Sequence, residues 1–193
     1  SWYFASTVTR WSRESLPAWT AETAAIMIEI FRVLADGTGT SPRRSAVAPD
    51  VLPHFINDMI TRMLAGVAPA GRPLFLKMVY HGPKAMEELV RFDPHLIVGI
   101  LGGSSGTTRD AFQLLADAQK YGARVALFGR KINNSENQLA FVSFLRLIVE
   151  GQIGPVEAVK AYHAVLGKLG VAPHRSLDDD LKITEQTMSY AGT

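Results

Sequence analysis

The sequence lacks cysteine altogether. This absence excludes disulfides, thiolate nucleophiles, iron–sulfur clusters and cysteine-based zinc sites, and it fits a reducing compartment, so we expect a cytoplasmic protein. No uncharged apolar run approaches the roughly 18 residues needed to span a bilayer, so we expect no membrane partner. An excess of one charge is also missing, because 20 Lys and Arg face 18 Asp and Glu. Cations scattered in this way do not track a phosphate backbone, so we expect no nucleic-acid partner.

The composition is that of an ordinary globular chain, with 193 residues of which 47% are hydrophobic and 20% charged. Residues 1–49 read as an N-terminal helical and loop segment, with a helix at 21–34 and a loop at 36–49 rich in Gly, Thr, Ser and Pro. That loop marks the first boundary, ahead of a unit at 50–170. The tail, 171–193, reads as a solvated surface segment because Asp178, Asp179 and Asp180 stand together.

Between these ends, apolar runs of strand length alternate with helical patterns. The predicted strands are 74–80, 96–101 and 124–128, and the predicted helices are 50–65, 83–92, 107–121, 136–150 and 155–170. Ser135 is the expected N-cap of the fourth of these helices, and Gly151 is its expected C′ residue. Such alternation predicts an α/β fold with parallel strands joined by right-handed crossovers.

Lys77 lies within the apolar run Leu-Phe-Leu-Lys-Met-Val-Tyr. Strand parity places it on one face with Phe75 and Val79. A charged ammonium is costly among such neighbours, and a lysine that gives up its proton attacks carbonyl carbons, as Schiff-base catalysis requires. The strand alone leaves open a lysine that reaches water at a strand end or pairs with an acid.

Two turns in the sequence suit an anion. Gly102-Gly103-Ser104-Ser105-Gly106-Thr107-Thr108 lies between a predicted strand and a helix, and Gly129-Arg130-Lys131 follows the next strand. Glycines let the backbone approach a ligand, and a helix start offers unpaired N–H groups. Both turns should meet at one sheet edge, as in the phosphate site of a (β/α)₈ barrel. The alternatives are a simple capped turn and a surface ion pair of Arg130.

Three motifs in this order carry a family resemblance. Lys77-Met-Val-Tyr80-His-Gly82, Gly102-Gly103-Ser104 and Phe128-Gly129-Arg130-Lys131-Ile132-Asn133 together resemble the last three βα units of class I, Schiff-base aldolases of the archaeal-type fructose-bisphosphate and deoxyribose-phosphate aldolase group. The resemblance covers residues 70–165 and implies the C-terminal portion of a TIM barrel. It implies Lys77 as the Schiff-base lysine, with Tyr80 close to it. For the substrate phosphate it implies Gly102, Gly103, Ser104, Gly129 and Arg130.

The resemblance further implies a lyase that acts on a phosphorylated sugar or keto compound without a metal or an organic cofactor. Residues before Lys77 hold one strand candidate, 2–8, so most of a barrel has no counterpart, and a few parallel strands cannot close one. We therefore expect a homo-oligomer or association with the missing half-barrel. Two alternatives stay open: a phosphate-binding barrel isomerase or synthase without imine chemistry, and a non-catalytic half-barrel that binds a phosphate metabolite or a partner. Tyr3, Tyr80 and His81 are the conceivable proton donors.

Overall fold

The computed structural model describes residues 3–4, 51–73, 75–102 and 106–184. Its strands form one parallel sheet in the order β1-β4-β3-β2. The strands are β1 (Tyr3–Phe4), β2 (Phe75–Met78), β3 (Ile97–Leu101) and β4 (Val125–Leu127). The predicted α/β class is therefore confirmed, with strands shorter than the apolar runs suggested. The predicted helix at 21–34 and the boundary loop at 36–49 lie outside the described residues.

The helices of the described chain lie before β2, between successive strands from β2 to β4, and after β4. They are α1 (Leu52–Ala65), α2 (Pro83–Phe92), α3 (Thr108–Lys120), the short α4 (Gly129–Asn133), α5 (Gln138–Val149), α6 (Pro155–Lys168) and the single-turn α7 (Leu177–Asp180). Within the described residues, no helix has the length and apolar character needed to cross a bilayer.

The helix ends follow the local sequence. Proline begins α2 and α6, where its missing N–H costs nothing. Thr107 and Asp110 form a reciprocal capping box at the start of α3. Gly151 follows α5 in the left-handed region at φ +69°, as expected of a C′ glycine.

The predicted N-cap of α5 is wrong. Asn137 takes that position, and its side chain accepts a hydrogen bond from the N–H of Ala140. The Ser135 hydroxyl instead donates to the carbonyl of Ile132 at the end of α4, over 2.7 Å. The physical reason is that α4 uses Ser135 to finish its last turn, so the next helix starts later.

The core lies between one face of the sheet and the helices. Leu76 and Met78 of β2 are buried, whereas Phe75 and Lys77 are half-buried, so burial alternates as strand parity predicts. Behind this face the rings of Phe112 (α3) and Phe141 (α5) lie 5.1 Å apart, and the ring of Tyr162 (α6) lies 5.7 Å from that of Phe141. These aromatic contacts join three helices into one layer.

The described part of the C-terminal tail, residues 171–184, agrees with its prediction as a solvated segment except at Asp180. Residues 174–184, which we call the strap, run back over the start of α3. Most of the strap is exposed, but Asp180 is only 2% exposed. A buried carboxylate needs partners, and helices α3 and α6 supply them to Asp180, as described below.

Candidate functional site

Lys77 lies at the middle of β2, half-buried, on the sheet face that is turned away from Leu76 and Met78. It is in register with Gly99 of β3. A Cβ atom at Gly99 would lie 2.2 Å from the ring of Phe75, so this ring covers the glycine beside Lys77. The absence of a side chain at Gly99 therefore leaves room for the Phe75 ring.

Tyr80 does not share the face of Lys77. Burial alternates along residues 75–80, and Tyr80 falls with the buried set at 1% exposure. Burial, with the nearby charge of Asp117 adding to it, raises the pKa of its phenol. Within the described chain the hydroxyl has no hydrogen-bond partner. The structure thus does not bring Tyr80 to Lys77, which the family resemblance had implied.

Gly102 ends β3 at the start of the glycine turn. Its N–H donates to the carbonyl of Leu127 on β4 over 3.1 Å, so the sheet continues past the end of both strands. A Cβ atom at Gly102 would lie 2.1 Å from the buried ring of Phe128. Glycine is required here for close packing between strands. Gly103 and Ser104 lie outside the described residues.

The two predicted anion turns do meet. The ammonium of Lys131, in α4, donates to the carbonyl of Gly106 over 2.7 Å. Gly106 lies just before the N-cap of α3, so this bond links the turn after β4 to the turn after β3. The predicted neighbourhood of the two turns at one sheet edge is confirmed. Gly129 and Arg130 begin α4, and the Arg130 side chain is exposed.

A cleft of about 380 Å³ opens at this junction. The residues that matter for its chemistry are Gly106, Thr108, Lys131, Glu136, Phe141 and Arg175. Phe141 belongs to the aromatic layer of the helices, so the cleft lies on the helix side of the sheet edge. Lys77, by contrast, faces the other side of the sheet.

Two cations line the cleft, Lys131 and Arg175. Among the described residues, no carboxylate lies within ion-pair distance of either one. Burial lowers the pKa of Lys131; the charge of Asp180 opposes this shift, and that of Arg175 adds to it. The two positive charges are therefore close enough to repel each other, and an anion between them would remove that repulsion.

Glu136 also lines the cleft, but its carboxylate is already engaged. One oxygen accepts from the N–H of His174 over 2.9 Å, and the other accepts from the Tyr162 hydroxyl over 3.0 Å. Burial alone would raise the pKa of Glu136, yet these hydrogen bonds outweigh burial and lower it. Glu136 thus anchors the strap. Its carboxylate does not neutralise Lys131 or Arg175, so both charges can interact with a ligand.

The N-terminus of α3 is occupied by side chains. The N–H of Thr108 donates to Asp180 Oδ1 over 2.7 Å, and the N–H of Thr107 donates to Asp110 Oδ2 over 2.8 Å. The expected binding of a substrate phosphate by these amides is therefore not available in this arrangement. The cations of the cleft, rather than the helix start, offer the charge for an anion.

A second polar cluster follows β2. His81, 5% exposed, lies with its Nε2 2.6 Å from Asn57 Oδ1. The amide nitrogen of Asn57 donates to the carbonyl of Ala85 over 2.7 Å and to Glu88 over 2.8 Å. His54 Nδ1 lies 2.9 Å from the same Glu88 oxygen. Within the described residues, no group of three or more His, Asp or Glu is arranged to hold a metal ion.

The sequence singled out Arg130 as the cation of the anion site, whereas the structure brings Lys131 and Arg175 together. Lys131 was visible in the same motif, one position further along. The sequence did not identify Arg175 or Asp180 as site residues, because their positions near the cleft depend on the path of the strap. No protein-family model, no curated protein and no solved structure matches this chain.

Proposed function

We propose that this chain acts on a phosphorylated small molecule whose phosphate binds between Lys131 and Arg175. The observation that supports the proposal is a pair of cations without carboxylate partners, among the described residues, on the walls of one cleft. The cleft volume of about 380 Å³ suits a metabolite, since small-molecule sites begin near 300 Å³. A phosphate monoester would offset both charges at once.

The chemistry we propose is that of a class I aldolase-type lyase. In it the Lys77 amine adds to the substrate carbonyl and loses water to form an imine, carbon–carbon cleavage or formation passes through the enamine, and hydrolysis frees the lysine. This proposal is supported by the half-buried position of Lys77 in β2 and by the three motifs that resemble the aldolase group. No metal or organic cofactor is part of the proposal.

A TIM-barrel origin for the sheet belongs to the same proposal. The first strand, β1, lies beside β4, β4 lies beside β3, and β3 lies beside β2. A closed barrel has this order where its first and last strands meet. We propose that the remaining strands come from a second copy of this chain or from the missing half-barrel. Sedimentation velocity tests the first of these sources, and a monomer at micromolar concentration contradicts pairing with a second copy.

A second function is favoured by a separate observation. Tyr80 lies on the face opposite Lys77, and the cleft lies on the helix side of the sheet edge. This arrangement suits a protein that binds a phosphorylated metabolite without imine chemistry, either as an isomerase or synthase or as a non-catalytic half-barrel. Both functions use the cleft, but the aldolase-type function also requires the substrate to extend past the sheet edge to Lys77 on the other face.

Borohydride trapping separates these functions. The protein is mixed with phosphorylated ketoses and aldehydes, reduced, and measured by intact-mass spectrometry. The aldolase-type function predicts an adduct on the wild type that Lys77→Ala loses and that Lys84→Ala, a change of an exposed lysine on α2, keeps. An adduct of equal yield on Lys77→Ala, or none on any protein, contradicts imine formation at Lys77. Calorimetry with the same compounds then tests the cleft, where Lys131→Ala should abolish binding.

A further inference from the structure

We propose that the strap, residues 174–184, is the lid of the cleft, that Arg175 is its ligand-binding residue, and that Asp180 is the positioning residue that holds the lid closed. This inference rests on the proposed binding of a phosphate in the cleft. It goes beyond that proposal because it assigns a coupled motion of the strap and a role for a residue outside the cleft wall.

The Asp180 carboxylate is the central anchor of the strap. Its side chain is 3% exposed, and each oxygen has a partner on a different helix. Oδ1 accepts from the N–H of Thr108 at the start of α3 over 2.7 Å, and Oδ2 lies 2.9 Å from Nε2 of His163 on α6. A carboxylate at a helix N-terminus is stabilised by the exposed N–H groups there. Asp180 therefore ties the strap to two elements of the core.

Three further hydrogen bonds hold the strap on either side of Asp180. After Asp180, the Thr107 hydroxyl donates to the carbonyl of Lys182 over 2.7 Å, and the N–H of Thr184 donates to Asp110 over 2.8 Å. Before Asp180, the N–H of His174 donates to Glu136. The strap is thus fixed on both sides of Arg175.

Arg175 is the strap residue that places a positive charge at the cleft. Its side chain is exposed and lies near Lys131, which approaches the cleft from α4. A phosphate between the two would join the strap to the body of the protein through charge-assisted hydrogen bonds. Ligand binding should then stabilise the closed strap, and by reciprocity the closed strap should strengthen binding.

A rival interpretation makes Asp180 a competitor that occupies a phosphate position at the start of α3. The two interpretations predict opposite effects of Asp180→Asn, which keeps the shape and removes the charge. A competitor predicts tighter phosphate binding in the variant. A lid predicts weaker binding, because the strap and Arg175 lose their position. The carboxylate is engaged by Thr108 and His163 on both oxygens, which favours an anchor.

The experiment measures inorganic phosphate binding by calorimetry and hydrogen exchange of the strap with and without phosphate. We expect phosphate to slow exchange in residues 174–184 of the wild type, and we expect Asp180→Asn and Arg175→Ala each to weaken binding about tenfold. Thr184→Val, which loosens the strap at an exposed position, should weaken binding in the same direction. Lys168→Ala, an exposed cation at the end of α6, is the matched control and should change nothing.

The outcomes are distinct. If the wild type binds phosphate and neither Asp180→Asn nor Thr184→Val weakens it, the lid is wrong while the cleft function stands. Tighter binding by Asp180→Asn also overturns the lid, in favour of the competitor. If the wild type binds neither inorganic phosphate nor the phosphorylated compounds, the cleft function fails and the lid fails with it. Arg175→Lys separates charge from shape, and partial recovery relative to Arg175→Ala supports ligand contact.

Discussion

The Nε2 atom of His81 lies 2.6 Å from Oδ1 of Asn57, and this contact fixes the proton of the imidazole. Both amide hydrogens of Asn57 are used by oxygen acceptors, Ala85 and Glu88, so its own oxygen must accept from His81. His81 therefore carries its proton on Nε2. Its buried Nδ1 is left as a lone pair with no partner in the described part of the chain. Burial, the main cause, lowers the pKa of His81 to about 4.

His81 should make stability depend on pH. Its folded pKa lies below its unfolded value of about 6.5, so the unfolded state takes up a proton first as pH falls. The contribution is fully present above pH 6.5 and is lost as pH falls toward 4, up to roughly 3 kcal/mol. Urea unfolding from pH 7.5 to 4.5 should show this loss in the wild type, and His81→Gln should lack it. His95→Gln, at an exposed position, should follow the wild type, and a parallel pH profile for His81→Gln would contradict the prediction.

Tyr80→Phe should stabilise the protein by about 1 kcal/mol, because it removes a buried hydroxyl without a partner. Tyr162→Phe is the matched comparison. It removes a hydroxyl that donates to Glu136 and accepts from the N–H of Asn137, so it should destabilise the fold by about 1–3 kcal/mol. Thermal unfolding of the two variants measures whether each change stabilises or destabilises the protein. Loss of imine trapping in a well-folded Tyr80→Phe variant would instead favour Tyr80 among the three proton donors that the sequence left open.

Gly102→Ala should destabilise the protein by about 1–3 kcal/mol, because its methyl group would run into the buried Phe128 ring. Gly167→Ala tests the opposite case on α6, where a Cβ atom meets nothing within 4 Å. Alanine there should stabilise the helix by about 0.5–1 kcal/mol. Chemical denaturation of both variants checks the prediction. Equal stabilities would show that Phe128 moves freely, which its burial argues against.

Thr107→Ala should cost about 2 kcal/mol, because the Thr107 hydroxyl both caps α3 and donates to the strap. Thr61→Ala is the control, since the Thr61 hydroxyl is exposed and donates only to a carbonyl within its own helix. Equilibrium unfolding gives the two free energies. A Thr107→Ala cost no larger than that of Thr61→Ala would mean that water replaces both contacts.

The alternation of strands and helices was predictable because it depends on short-range patterns. Apolar runs marked β2, β3 and β4, and Gly and Pro marked most helix ends. The start of α5 was harder to predict, because Ser135 and Asn137 are both good N-cap residues and the sequence did not show that Ser135 completes the preceding α4.

The candidate site was predictable only in part, because some of its contacts join residues that are far apart in the sequence. Parallel pairing of β3 and β4 let the sequence bring Gly106 near Lys131. By contrast, three adjacent aspartates predict a solvent-exposed segment. In the structure, the Asp180 carboxylate is buried and contacts Thr108 and His163. Nothing in a local pattern shows which of three carboxylates a distant helix will bind.

The pairing of the first strand with the last has a consequence for the order of folding. Phe75 pairs with Ile97 and Gly99 with Val125, so β2, β3 and β4 assemble through short chain segments. Tyr3, however, pairs with Val125 across most of the chain. Closing that long loop costs entropy before any contact offsets it, and long-range pairing slows folding. The βα units should therefore form first during folding. Strand β1 should join the sheet last during folding and separate from it first during unfolding.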